Sequence, residues 1–350
     1  MSRRTLATGV VAFLLLALGI VVALVPVPYV TMRPGPTLNV LGKTGSSDII
    51  DVSGHRTYPT SGALRLTTVS VTSPGRQVHL GEVLGAWFAK SEAVYPRDVV
   101  YPPEQSSQDA EQESSVEMVG SQDTAIAAAL TELGYTVPPT VEVQALTKGL
   151  PAEGKLKVRD RILSANGTKI TKVQQLTTAI QKSGVGGTVT FVIRRNGADR
   201  TVKITTVADP EDKTRALVGI SPGTGYHFPF DVTVRLGEDI GGPSAGLVFS
   251  LGVYDRLTPG SLTDGRVVAG TGTITESGRV GPIGGIQQKI VAAHDAGAKL
   301  FLVPPADCAA AQGADVEKGD IELVKAPTMH SAVTSLKAYA KDRSADLPSC

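Results

Sequence analysis

The chain has 350 residues, 41% of them hydrophobic and 19% charged, with a formal charge of +1. That length holds two or three domains with full cores. Lys+Arg at 34 against Asp+Glu at 33 excludes a basic nucleic-acid surface, and 5% aromatics excludes base-stacking platforms.

Arg3 and Arg4 precede an apolar run over residues 10–27, interrupted by Gly19 and Pro26. The run is long enough to cross a bilayer. Arginines ahead of it predict a cytoplasmic N-terminus, with the bulk of the chain outside the cell membrane. A cleaved signal peptide is the alternative. The run exceeds the usual h-region of roughly 7–15 residues, and no A-x-A site follows it. Residues 1–29 are therefore read as a cytoplasmic N-terminus and a single-pass anchor.

Residues 30–115 read as a strand-rich region and linker, with the option of packing on the last domain. Residues 62–71 are rich in Thr, Val and Leu and predict a strand. Residues 80–88 predict a short helix with Leu80, Leu84 and Trp87 on one side. His55 and His79 are isolated. Residues 102–115 hold almost nothing apolar and predict a loop or linker. A helix over 118–133 follows, apolar at Ile126, Ala129, Leu130 and Leu133, and Gly134 is placed to end it.

Residues 116–207 read as this helix followed by a small β-rich module. Residues 141–145 alternate as a strand does, and 160–165 enter an Asn166-Gly167 turn. Residues 173–183 are helical, with Leu176 and Ile180 on one face. Residues 189–194 and 200–205 form a hairpin across Asn196-Gly197. Gly149-Leu150-Pro151-Ala152, Gly154-Lys155-Leu156, Asp160-Arg161-Ile162-Leu163 and Asn166-Gly167 together resemble a PDZ domain. The family usually has Gly where this chain has Arg159. The resemblance implies capture of an extended peptide as an added strand, and it points to Leu133, Gly134 and Tyr135 as the peptide-binding loop. A module that only spaces or packs is the plainer reading.

Residues 208–350 contain the chemistry. Residues 231–236 alternate as a strand. After a loop, Pro243 sits where a helix accepts it, in the first turn. Ser244, Leu247, Val248 and Leu251 fall at i, i+3, i+4 and i+7, so the serine lies on the apolar stripe. It is also in the first turn, where free N–H groups favour negative charge. A second helix over 285–296, ended by Gly297, puts Lys289 on a stripe with Ile286, Ile290 and Ala293. Burial there lowers the lysine pKa and yields a neutral amine base. Each residue alone has a plain reading: a small helix-start serine, and a lysine that snorkels to water.

Taken together, Gly242-Pro243-Ser244-Ala245-Gly246, Gly270-Thr271-Gly272-Thr273-Ile274-Thr275, the segment 278–285, Lys289 and Ala292-Ala293-His294-Asp295-Ala296-Gly297 resemble the proteolytic domain of Lon proteases. The resemblance implies Ser244 as nucleophile and Lys289 as general base. It implies Thr271 as a residue that positions the lysine, and Gly242 as support beside the serine. The family usually has Asp three residues before the serine, where this chain has Gly241; Asp239 is out of register and takes no role. The layout of anchor, PDZ module and Lon-like domain resembles membrane-anchored PDZ-containing Lon-like proteases of Gram-positive bacteria. The implied fold class is α+β: a transmembrane helix, a small PDZ domain and a Lon-type proteolytic domain.

No G-x-x-x-x-G-K-[ST] loop occurs in the sequence, so no ATP hydrolysis is expected. No cofactor or metal is expected. Cys308 and Cys350 lack a CxxC partner and are read as a candidate disulfide. The expected partners are protein or peptide substrates and the membrane, with homo-oligomerisation left open. Two rivals stand beside the Ser–Lys endopeptidase. One is an inactive membrane-tethered PDZ adaptor. The other is a Ser–His–Asp hydrolase, since Gly242-x-Ser244-x-Gly246 also fits a nucleophile elbow, with His294 and His330 downstream.

Overall fold

The computed structural model describes residues 3–102, 105–237 and 240–350. It begins with α1 (Arg3–Leu24), a 22-residue helix with no buried residue. At 1.5 Å per residue α1 is about 33 Å long, against a bilayer hydrocarbon core of about 30 Å. Then come β1 (Tyr29–Asn39), β2 (Ala63–Val71), α2 (Leu80–Phe88), β3 (Ala93–Pro96) and α3 (Ser107–Glu132). A middle block holds β4 (Pro139–Leu146), β5 (Arg161–Ala165), α4 (Val173–Lys182), β6 (Thr188–Arg195), β7 (Ala198–Thr205) and β8 (Ile220–Tyr226). The last block holds α5 (Gly246–Leu257), β9 (Val267–Gly270), α6 (Ile286–Asp295), β10 (Leu300–Val303), β11 (Glu322–Lys325) and α7 (Met329–Lys341).

The N-terminal strands complete the sheet of the last block. A six-stranded sheet runs in the order β11-β10-β9-β2-β1-β3. β2, β9, β10 and β11 are parallel, while β1 is antiparallel to both β2 and β3. Val267 pairs with Ala63, so the middle block is an insertion between two parts of one sheet.

Side chains alternate across a strand, and here both faces are covered. Leu64, Leu66, Val268, Leu300 and Leu302 enter a large core with α3, α5 and α7. Ala269, Phe301 and Val303 enter a second core with Ile286, Ile290 and Ala293 of α6. The result is three layers: helices, sheet, helix. Each fully buried Leu, Ile or Phe contributes roughly 1.5–3 kcal/mol. The Cys308–Cys350 disulfide lies against the second core and ties the C-terminus to it.

The inserted module has its own sheet, in the order β7-β6-β5-β4-β8, and its own core around Val143, Phe191, Ile193 and Leu176. Asn196 and Gly197 both take positive φ, 51° and 76°, as the tight β6–β7 turn requires. β8 pairs with β4, so this unit reaches Tyr226 and not only residue 207.

Two expectations from the sequence change. The loop expected over 102–115 is mostly helix, because α3 starts at Ser107. Ser106 caps it, taking the Asp109 N–H at 3.1 Å, and the Asp109 carboxylate accepts the Ser106 N–H at 3.2 Å. A capping box supplies locally what the absent apolar residues do not. α3 also packs into the large core through Ile126 and Leu130. In α2 the helix ends agree, but the buried residues are Val83 and Ala86, while Leu84 and Trp87 face outward.

The module's second sheet face rests on α3. Glu142 and Gln144 of β4 point that way, toward Asp123 and Gly120. Arg159, where the PDZ resemblance expects Gly, has φ 69°, a backbone region that glycine occupies most easily. Its guanidinium crosses the junction, donating to Gln122 at 2.9 Å and pairing with Asp123 at 3.2 Å.

Candidate active site

Residues 231–234 form a strand paired with Ile50–Ser53, and the chain then turns back toward α5. Asp239 lies outside the described residues. Gly242 has φ 84°, and Pro243–Ala245 form a single 3-10 turn that runs into α5. Pro243 at the first position loses no hydrogen bond there. Ser244 is half-buried in this turn, while Leu247, Val248 and Leu251 behind it are fully buried.

α3 holds the turn from above. The Gly242 N–H donates to the Ser114 carbonyl at 3.2 Å, and Ser121 Oγ donates to the Pro243 carbonyl at 3.0 Å. A Cβ on residue 241 would overlap Ser114 Oγ. An aspartate in this position, as the Lon resemblance expects, would have to turn the Ser114 hydroxyl aside. The Gly242 N–H is bonded to α3, and the residue takes its positive φ two positions before Ser244.

Lys289 comes from the opposite layer, on α6. It is only 2% exposed, and its Nζ lies 2.8 Å from Ser244 Oγ and 3.2 Å from Thr271 Oγ1. Thr271 follows directly on β9, so the three side chains meet where that strand ends between the two layers. Thr271 Oγ1 donates its one proton to the Ser244 carbonyl at 3.0 Å, and the Gly272 N–H donates to the same carbonyl at 2.8 Å. Toward Lys289 the threonine can then only accept. One amine N–H is fixed there, which leaves the nitrogen lone pair free to face the serine hydroxyl.

Burial pushes the Lys289 pKa down to about 8, with a smaller opposing pull from Asp307. Among the described residues no carboxylate lies within 4.0 Å of its Nζ, so only the weaker pull of Asp307 works against burial of the ammonium form. A neutral amine beside a hydroxyl is the arrangement that activates a weak nucleophile for acyl transfer. The first N–H groups of the 243–245 turn have no helical carbonyl ahead of them and suit a developing oxyanion.

The other sequence candidates lie elsewhere. His294 faces Asp295 and Asp320, and His330 pairs with Glu132 at 2.7 Å, so neither serves Ser244. This removes the Ser–His–Asp arrangement. Leu133 caps the end of α3, and Gly134 and Tyr135 follow it. Leu133 and Tyr135 pack on the large core and not on the module's core, and Tyr135 contacts His55 and Phe230. This packing turns both side chains toward the large core. Ser114 and Ser121 were not candidates from sequence, because only the packing of α3 reveals that they hold the turn carrying Ser244.

Comparison with known proteins matches two parts of the chain. Residues 113–206 match the PDZ domain family, and residues 235–330 match the Lon protease (S16) C-terminal proteolytic domain. Lon protease 1 of Herpetosiphon aurantiacus is 40% identical over 87 residues, 25% of this chain and 10% of that protein. Lon protease 1 of Myxococcus xanthus is 43% identical over 81 residues, 22% of this chain and 10% of that protein. The chain thus spans about a tenth of the length of these curated relatives. Among solved structures, the PDZ domain of an SdrC-like protein from Listeria monocytogenes is 23% identical, with a TM-score of 0.22, over 24% of this chain and 86% of that one.

Proposed function

We propose that this chain, which combines a PDZ domain with a Lon-type proteolytic domain, is a membrane-anchored serine endopeptidase that works without ATP. The observation that carries the reading is the 2.8 Å approach of a buried Lys289 amine to Ser244 Oγ. Lys289 takes the serine proton as Oγ attacks a peptide carbonyl. The same amine, now protonated, gives that proton to the leaving amine. An acyl-enzyme forms on Ser244 Oγ, and Lys289 then activates a water that hydrolyses it. Thr271 holds the amine in register throughout.

The membrane reading rests on α1, and the disulfide suits a domain outside the reducing cytoplasm. Without a nucleotide-driven motor, substrates are protein segments already unfolded or exposed. The PDZ domain captures or gates them. Its sheet lies on α3, the helix that also holds residues 242–243, which gives ligand engagement a short physical route to the nucleophile turn.

The test is degradation of an unfolded model protein by the detergent-solubilised full chain and by its Ser244→Ala form. Cleavage by the first and none by the second is expected. Equal cleavage by both overturns the proposal.

A further inference from the structure

We propose that α2 seats the protease on the lipid surface: Leu84, Trp87 and Phe88 enter the interfacial layer of the bilayer that α1 crosses. This rests on the reading of α1 as a membrane anchor and adds a second, independent point of contact.

α2 has two apolar faces, and the protein covers one. Val83 and Ala86 are buried. Leu84, Trp87 and Phe88, spaced i, i+3 and i+4, are 42%, 71% and 82% exposed. The one charged residue of the helix, Glu82, is turned to the protein, where it pairs with Arg76 at 2.9 Å and lies 3.9 Å from Arg33. The outward face is therefore uncharged and carries two adjacent large aromatics. Such side chains are costly to leave in water.

The chain path says what covers this face. The Leu80 N–H donates to the Val25 carbonyl at 3.0 Å, one residue past α1. Pro26 and Val27 pair with His79 and Val78. A Cβ on Gly81 would come 3.5 Å from the Val22 carbonyl, so the first turn of α2 touches the last turn of α1. An α1 that spans the bilayer ends at its outer boundary, and α2 starts at that level. Tryptophan prefers this layer, where its ring meets acyl chains and its N–H meets headgroups and water. A short helix with one apolar outward face lies in the plane of such an interface.

Trp87 is the only tryptophan in the chain, so the protein carries its own probe. The experiment reconstitutes the full chain in phosphatidylcholine–phosphatidylglycerol vesicles. It follows Trp87 emission with aqueous iodide and with lipids brominated close to the headgroup. Flotation of the vesicles after an alkaline wash reads the α1 anchor separately. The expected result is flotation, strong quenching by the brominated lipid and little by iodide. Flotation with iodide quenching alone overturns the α2 seat and leaves the anchor standing. Flotation with protection from both quenchers also overturns it, in favour of a protein partner such as a second copy. Failure to float removes the anchor and the seat together.

Discussion

Lys289 and Asp160 are both charged-type residues buried almost completely, at 2% and 1% exposure, and they do opposite things. Asp160, in the PDZ domain, takes Arg195 on both oxygens, at 2.6 and 2.5 Å, and also accepts the Lys157 N–H at 2.8 Å. Its charge is fully answered, and it acts as a structural tie. Lys289 meets only the hydroxyls of Ser244 and Thr271. Asp307 answers its charge only weakly and burial outweighs it, so its proton is the loose one. Burial alone does not make a group reactive; what the charge meets inside the protein does. Glu142 stands between these cases. It is buried against another carboxylate, Asp123, so burial first and that neighbour second raise its pKa, with Arg159 and Arg161 opposing.

Substituting each of the three separates these roles. The largest effect belongs to Lys289→Met. Peptide hydrolysis falls by about 10²–10⁴, the usual worth of a general base. In the unsubstituted chain activity rises with pH through about 8, as Lys289 loses its proton; the variant loses this rise. The stability sign is also definite. The folded pKa lies below the unfolded value of 10.5, so the unfolded chain binds more protons between about 8 and 10.5, and stability rises with pH across that window. Below it the buried ammonium is a burden, and Lys289→Met raises the Tm at pH 7. A variant that keeps its activity, or loses Tm, breaks the contrast with Asp160.

Asp160→Ala works in the other direction. It removes both charge-assisted bonds to Arg195, which keeps only the Lys155 carbonyl and water, and costs about 1–3 kcal/mol, read as a lower denaturant midpoint for the PDZ domain. Hydrolysis of a short unstructured peptide at Ser244 continues. The smallest effect is Glu142→Gln. Because the folded Glu142 pKa is raised above its unfolded value, stability is lost as pH climbs from the ordinary carboxylate range. Glutamine mimics the protonated acid, so the variant matches the parent at pH 4 and gains on the order of 1 kcal/mol at pH 8. Chemical denaturation at those two pH values reads it. An equal change at both would place Glu142 with Asp160, as an answered charge.

Local spacing along the chain is enough for whatever depends on neighbours a few residues apart. The stripes of α5 and α6, the limits of α2 and the Asn196-Gly197 hairpin are set by local periodicity and turn chemistry. So is the presence of Lys289 on a buried face. Only the tertiary structure decided what those faces bury against. The pairing of Ala63 with Val267 leaves no trace in either strand's own pattern, yet it joins the N-terminal strands to the proteolytic sheet. The apolar count of α2 does not say which side turns outward, and the polar start of α3 hides a helix whose carbonyl and hydroxyl hold the turn carrying Ser244. A hydrophobic stripe specifies burial but not the partner. Ser244 and Lys289, carried by different layers, become one site only because three-layer packing brings both to the end of β9, where Thr271 stands.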